Sequence, residues 1–148
     1  MKILVTGANG YLGCGIVKEI LDKGIEVVAT DFSTNRVDER AVRLNRNLFE
    51  IEDPYHEFGE PDVLLHLAWR DGFVHYSDAH IDDLPKHYKF IKTMIDSGLK
   101  KVSVMGSMHE IGFFEGCIKE DTPCHPITPY GIGKNALRDL TQMLTNNE

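Results

Sequence analysis

The chain has 148 residues, 42% of them hydrophobic and 26% charged, with a formal net charge of -7. That length buries one core but not two, so a single domain over residues 1–148 is expected, with the composition of an ordinary globular chain and no apolar run near the length of a membrane span. The acidic balance argues against a nucleic-acid backbone as the main partner, because such binders cluster Lys and Arg to displace counterions. In chain order, "KILVTG" reads as a strand ending in a glycine turn, and "YLGCGIVKEILDKG" as a helix with Leu12, Ile16, Val17, Ile20 and Leu21 on its apolar face and Gly24 closing it. "EVVATD" is a second strand, "NLFE" a weaker strand candidate, and "DVLLHLA" and "KVSVMGS" two further strands. Short, nearly continuous apolar runs suit strands covered on both faces of a parallel sheet.

Between the last two strands, "DDLPKHYKFIKTMIDSG" predicts a helix with Asp83 as N-cap, Pro85 in its first turn, Phe90, Ile91, Met94 and Ile95 as its stripe and Gly98 as its stop. Strands alternating with helices predict an α/β fold with right-handed crossovers and a doubly wound parallel sheet. "WRDGFVHYSDAH" reads as a solvated loop at the carboxyl end of a strand, broken by Gly72. Cys14, Cys117 and Cys124 form no CxxC pair and the histidines fall into no HExxH spacing, so neither a disulfide framework nor a metal site is expected. Met1 and Lys2 run straight into the first strand without the apolar stretch of a leader, which predicts a cytoplasmic location.

Two constellations carry chemistry. In "TGANGYLG", Gly7 allows the tight turn, Gly10 lets the backbone approach a pyrophosphate, and Gly13 lets the helix pack close to the strand; phosphates then meet the unpaired N–H groups of the helix start. Asp31 ends the second strand eighteen residues after Gly13, where an acid hydrogen-bonds the ribose hydroxyls and repels the extra phosphate of NADP, so NAD is the expected cofactor and NADP the less favoured one. Arg36 nearby is read as a solvated arginine. In "TPYGIGK", Tyr130 and Lys134 are four apart and share one helix face, about 6 Å apart at Cβ. A phenol titrates near pH 10 in water, and a neighbouring ammonium and an oxidised nicotinamide both favour its phenolate, which then takes a proton from an alcohol as hydride leaves. Ser107, at the end of the preceding strand, is placed to hydrogen-bond the substrate oxygen.

With these motifs the chain resembles the amino-terminal part of an extended short-chain dehydrogenase/reductase of the NAD-dependent epimerase/dehydratase family. "TGANGYLG" matches TGxxGxxG, "DVLLHLAW" resembles the family's fourth-strand motif, "GSMHEIG" its serine stretch, and "TPYGIGK" its P-Y-x-x-S-K. The resemblance implies a Rossmann-like fold, Ser107, Tyr130 and Lys134 as catalytic set, and a cofactor site drawn from Gly7, Asn9, Gly10, Tyr11, Leu12, Gly13, Asp31, Glu50, Ile51, Leu67, Ala68, Tyr130 and Lys134. Trp69 stands where the family has a second alanine, and Asp83 near a common asparagine. Met108 and His109 replace the acidic pair of the sugar dehydratases, so epimerase or ketoreductase chemistry on a nucleotide sugar is expected. His109 is either a further acid/base, since imidazole titrates near neutrality, or a histidine bonded to a neighbour such as Glu110. By the same resemblance a carboxyl-terminal substrate domain is absent and turnover is expected to be impaired, and a homodimer or other self-association through the Phe90/Met94 helix and the last helix is expected. A short NAD-binding or interaction module without catalytic activity is the alternative.

Overall fold

The computed structural model describes residues 1–146. Five parallel strands, β1 (Lys2–Thr6), β2 (Glu26–Asp31), β3 (Val42–Asn45), β4 (Val63–His66) and β5 (Lys101–Val104), form one sheet in the order β3-β2-β1-β4-β5. The register runs Val5 beside Ala29 on one side and beside Leu65 on the other. This is the doubly wound order that the alternation of strands and helices predicts, with its switch point at β1. Helix α1 (Tyr11–Asp22) returns the chain from β1 to β2 and stops at Gly24, which takes a φ of 73° and donates its N–H to the Leu21 carbonyl at 2.9 Å.

The chain divides into two compact units, one of Met1–Trp69 with Lys89–Met105, the other of Arg70–Tyr88 with the chain from Gly106 onward. In the first, Val5, Ala8, Val17, Val27, Ala29, Val37 and Ala41 make a buried apolar cluster between β1, β2 and α1. Each buried valine there is worth about 1.5–3 kcal/mol relative to an exposed one. The later turns of α4 (Leu84–Asp96) bury Phe90, Ile91 and Met94, as the predicted stripe requires, and the Phe90 ring stacks on His66 at 5.5 Å. Gly98 ends this stretch with a φ of 116°.

One expectation needs correction. "NLFE" is not a strand: Leu48–Glu50 is a single 3-10 turn whose start is fixed by the Asn47 side chain accepting the Phe49 N–H at 3.2 Å. The third strand is instead "VRLN", largely exposed because it lies at the sheet edge with one strand neighbour; an edge strand needs no apolar run, so its sequence carries no strong signal. A short helix, α2 (Pro54–Glu57), follows, capped by Asp53.

The second unit contains α3 (Ala79–Asp82), the first residues of α4, a 3-10 turn Met108–Glu110, and α5 (Pro129–Thr145). Helix α3 and the 108–110 turn both pack on α5. Helix α5 starts as its sequence predicts: the Thr128 hydroxyl accepts the Gly131 N–H at 3.1 Å and Pro129 takes the first helical position. No helix among the described residues is long and apolar enough to cross a membrane.

Candidate functional site

The predicted cofactor residues of the first unit converge on the carboxyl ends of its strands. Gly7 follows β1 with a φ of 65°, and a Cβ on it would fall 2.7 Å from the Ala68 amide nitrogen, so the backbones after β1 and β4 approach as closely as glycine alone permits. A Cβ on Gly13 would lie 2.7 Å from Ala8 Cα. The Thr6 hydroxyl ties the same two strand ends together, lying 2.8 Å from His66 Nδ1 and accepting the Ala68 N–H at 3.3 Å. Leu67 and Ala68 are thereby held beside the glycine turn.

Helix α1 begins at Gly10 with no side-chain cap and no acidic residue in its first turn, which leaves its amide dipoles for an anion. Asp31, at the end of β2, accepts the Asn9 N–H at 3.0 Å and the Phe32 N–H at 2.8 Å. Asn9 in turn accepts the Arg36 N–H at 2.9 Å, a backbone contact that the reading of Arg36 as a solvated side chain did not include. Tyr11 and Leu12 are exposed, at 89% and 51%. Glu50 and Ile51 line a groove with Arg46, Asn47, Asp53 and His56, joined to β2 where the Arg46 N–H meets the Asp31 carbonyl at 2.9 Å. A cradle with no room for side chains, an uncapped helix start and a carboxylate at the next strand end together fit a dinucleotide.

The predicted catalytic residues lie together in the second unit. Ser107 caps the 108–110 turn, its Oγ accepting the His109 N–H at 3.2 Å while Glu110 Oε1 accepts the Ser107 N–H at 2.6 Å. This reciprocal capping box holds the hydroxyl oxygen still and leaves its proton to give. Glu110 is 5% exposed and also faces the Arg138 guanidinium at 3.6 Å. The S-x-x-E spacing at 107–110 is the sequence signature of such a box, and it identifies Glu110 as the residue that fixes Ser107, a role the sequence reading did not assign.

The first turn of α5 lies against the carbonyl of His109, where a Cβ on Gly131 would come within 3.0 Å of that carbon. Lys134 is 5% exposed, and burial lowers its ammonium to about 8, against the opposing pull of Glu110. His87, 2% exposed, is lowered to about 4 by burial and by the Lys134 ammonium, with Asp83 acting the other way. Asp83 pairs with Arg70 at 2.9 Å and with Lys86 at 2.7 Å. Burial raises its carboxyl, and these cations together outweigh that and lower it.

His109 turns its ring toward Tyr130, with centroids 5.3 Å apart, and toward His75, at 4.2 Å. The Glu110 carboxylate is taken by the Ser107 amide and Arg138. The loop read as solvated also supplies this site: His75 stacks on Tyr130, and His80 at the start of α3 meets the same phenol edge-on. Nothing in the spacing of "WRDGFVHYSDAH" marks those two histidines. Among the described residues, no group of three or more His, Cys, Asp or Glu side chains is arranged to hold a metal ion.

Residues 3–147 match the sequence model of the NAD dependent epimerase/dehydratase family, and the chain belongs to that family. It is 43% identical over 143 residues to a dTDP-6-deoxy-L-talose 4-dehydrogenase (NAD(+)) of Aggregatibacter actinomycetemcomitans, covering 93% of this chain and 53% of that protein. It is 27% identical to a UDP-glucose 4-epimerase of Azospirillum brasilense over 90% of this chain and 41% of that one. Among solved structures, a UDP-glucose 4-epimerase of Thermotoga maritima with UDP-glucose superposes with a TM-score of 0.84 at 21% identity, over 99% of this chain and 52% of that one. The chain spans about half the length of the curated relatives it matches.

Proposed function

We propose that this member of the NAD-dependent epimerase/dehydratase family binds NAD and takes part in hydride transfer to and from a nucleotide-linked sugar, with a dTDP-linked 6-deoxyhexose as substrate class and C4 as the reacting carbon. The observation that carries the chemical reading is Lys134, an ammonium 5% exposed one helical turn beyond Tyr130. A helix face with no chemical task would leave that charge in water. The substrate class rests on the 43% identity to the talose dehydrogenase, against 27% or less for the epimerase and dehydratase relatives. Met108 and His109, standing where dehydratases carry acids, favour ketoreductase or epimerase chemistry over dehydration.

In this reading the first turn of α1 holds the pyrophosphate and Asp31 holds the adenosine ribose hydroxyls, the acid disfavouring NADP. Glu50 and Ile51 meet the adenine. NAD, when bound, supplies the hydride acceptor. Ser107 donates its hydroxyl proton to the sugar oxygen, Tyr130 as phenolate takes the proton of the sugar alcohol, and Lys134 stabilises that phenolate by its charge. The alcohol thus loses hydride from carbon and a proton from oxygen and becomes a ketone; the reverse direction returns both. The His109 imidazole is a further acid/base beside the same phenol.

Thermal melting of the purified chain with NAD and, separately, with NADP tests the cofactor. NAD is expected to raise the melting temperature more than NADP, and Asp31→Asn to narrow that preference. No shift with either nucleotide overturns the cofactor assignment. Formation of NADH from dTDP-6-deoxyhexoses, lost in Tyr130→Phe, tests the chemistry; nucleotide binding without any turnover would support a binding module instead.

A further inference from the structure

His75 belongs to the loop that leaves β4, and its contacts are with the phenol assigned to proton transfer. Its carbonyl accepts the Tyr130 N–H at 3.1 Å. Its ring lies over the Tyr130 ring at 5.3 Å with 21° between planes. His80 and His109 meet the same ring edge-on, at 5.1 Å and 61° and at 5.3 Å and 73°. Three of the seven histidines in the chain therefore converge on one tyrosine. They come from two separate pieces of backbone, the segment of residues 75–80 and the turn at His109, so helical spacing does not explain the grouping.

The loop that presents His75 is braced. The Val74 N–H donates to the Asp71 carbonyl at 2.7 Å, the Ser77 hydroxyl donates to the Asp71 carboxylate at 2.6 Å, and His80 Nε2 donates to the Val74 carbonyl at 2.9 Å. That last bond fixes the proton of His80 on Nε2 and couples the α3 imidazole to the backbone beside His75. Phe73, two residues earlier, is 99% exposed. The loop buries no large apolar side chain of its own between 73 and 76, and what it delivers inward is the imidazole.

We infer that His75 is a positioning residue for Tyr130: with His80 and His109 it confines the phenol ring to one orientation, so that its oxygen is aimed before any substrate arrives. The chemical reason is preorganisation. A phenol free to swing about χ1 carries its oxygen several ångströms, and proton transfer requires it within hydrogen-bond reach. One ring stacked on the phenol and two set at steep angles to it restrict that motion, and the main-chain bond from Tyr130 to His75 ties loop and helix start so that they move together.

This inference rests on the reading of Tyr130 as the acid/base, and its test is made without cofactor or substrate so that the two can fail separately. In protein carrying isotope-labelled tyrosine, with Tyr130 assigned by Tyr130→Phe, the three-bond Hα–Hβ couplings report the χ1 rotamer. Wild type is expected to show one rotamer, His75→Ala and His75→Leu averaged couplings, and His75→Phe, which keeps a flat ring, a single rotamer again. Phe73→Ala, on the same loop, is expected to change nothing. If His75→Ala fails to fold, the volume-filling His75→Leu decides. A single Tyr130 rotamer in His75→Leu, or an averaged one in a folded His75→Phe, overturns the inference. The NAD-dependent melting shift, measured in parallel, reports on the cofactor reading alone.

Discussion

Lys134 is expensive to keep where it is. An ordinary lysine loses its proton near 10.5, and here burial lowers that to about 8, a difference of about 3 kcal/mol between the two protonation states. The unfolded chain stays protonated up to about 10.5 while the native chain sheds its proton near 8, so between these values the unfolded state binds more protons and stability rises with pH. Below 8 the native state bears the whole cost. Lys134→Met is therefore expected to be more stable than wild type at pH 7 by up to about 3 kcal/mol, with the gap closing as pH rises from 8 to 10.5. Urea melts of both proteins across that range measure it, and a gap that does not change with pH would show that the lysine is solvated. The same substitution is expected to abolish turnover. The two outcomes together would mark Lys134 as a residue held for function.

At the start of α1, two glycines in one helix separate turn from helix. A Cβ on Gly13 meets Ala8 Cα at 2.7 Å, whereas one on Gly15 meets nothing within 4 Å. Gly13→Ala must push the helix off the turn and is expected to cost about 1–3 kcal/mol and to remove the melting response to NAD. Gly15→Ala is expected to be neutral or to gain about 0.5–1 kcal/mol, because alanine loses less chain entropy in a helix. Denaturant midpoints with and without NAD distinguish the two; equal losses at both positions would mean that helix propensity, and not close approach to the turn, sets the effect.

The sheet has two outer strands, β3 and β5, each with one strand neighbour. Both are four residues long and carry a cation, Arg43 in β3 and Lys101 in β5, the short charged edges that discourage indiscriminate pairing. The family resemblance points to association through helices rather than through these edges. Light scattering across micromolar concentrations is expected to give a mass of about two chains, retained in Lys101→Glu; a mass of one chain throughout would overturn the dimer expectation, and growth without limit would implicate the edges.

The strands β1, β2 and β4, helix α1 with its closing Gly24, and the cap and proline that begin α5 were all legible in residue order. Each depends on local physics: an apolar run, a left-handed glycine, a hydroxyl at a helix start. The places of the glycine turn, Asp31, Ser107, Tyr130 and Lys134 in the fold, as distinct from the roles proposed for them, were legible for a related reason, since each lies at a strand end or on a helix face whose position follows from the element carrying it. What residue order did not contain was β3, polar because it lies at an edge, and the 3-10 turn that took the place of "NLFE". It also did not contain the gathering of His75, His80 and His109 on Tyr130, or the pairing of Glu110 with Arg138. Those contacts join residues up to 55 positions apart, and a contact of that span has no period or spacing to betray it. It exists only once the loop after β4 and the helix start at Thr128 have been folded together.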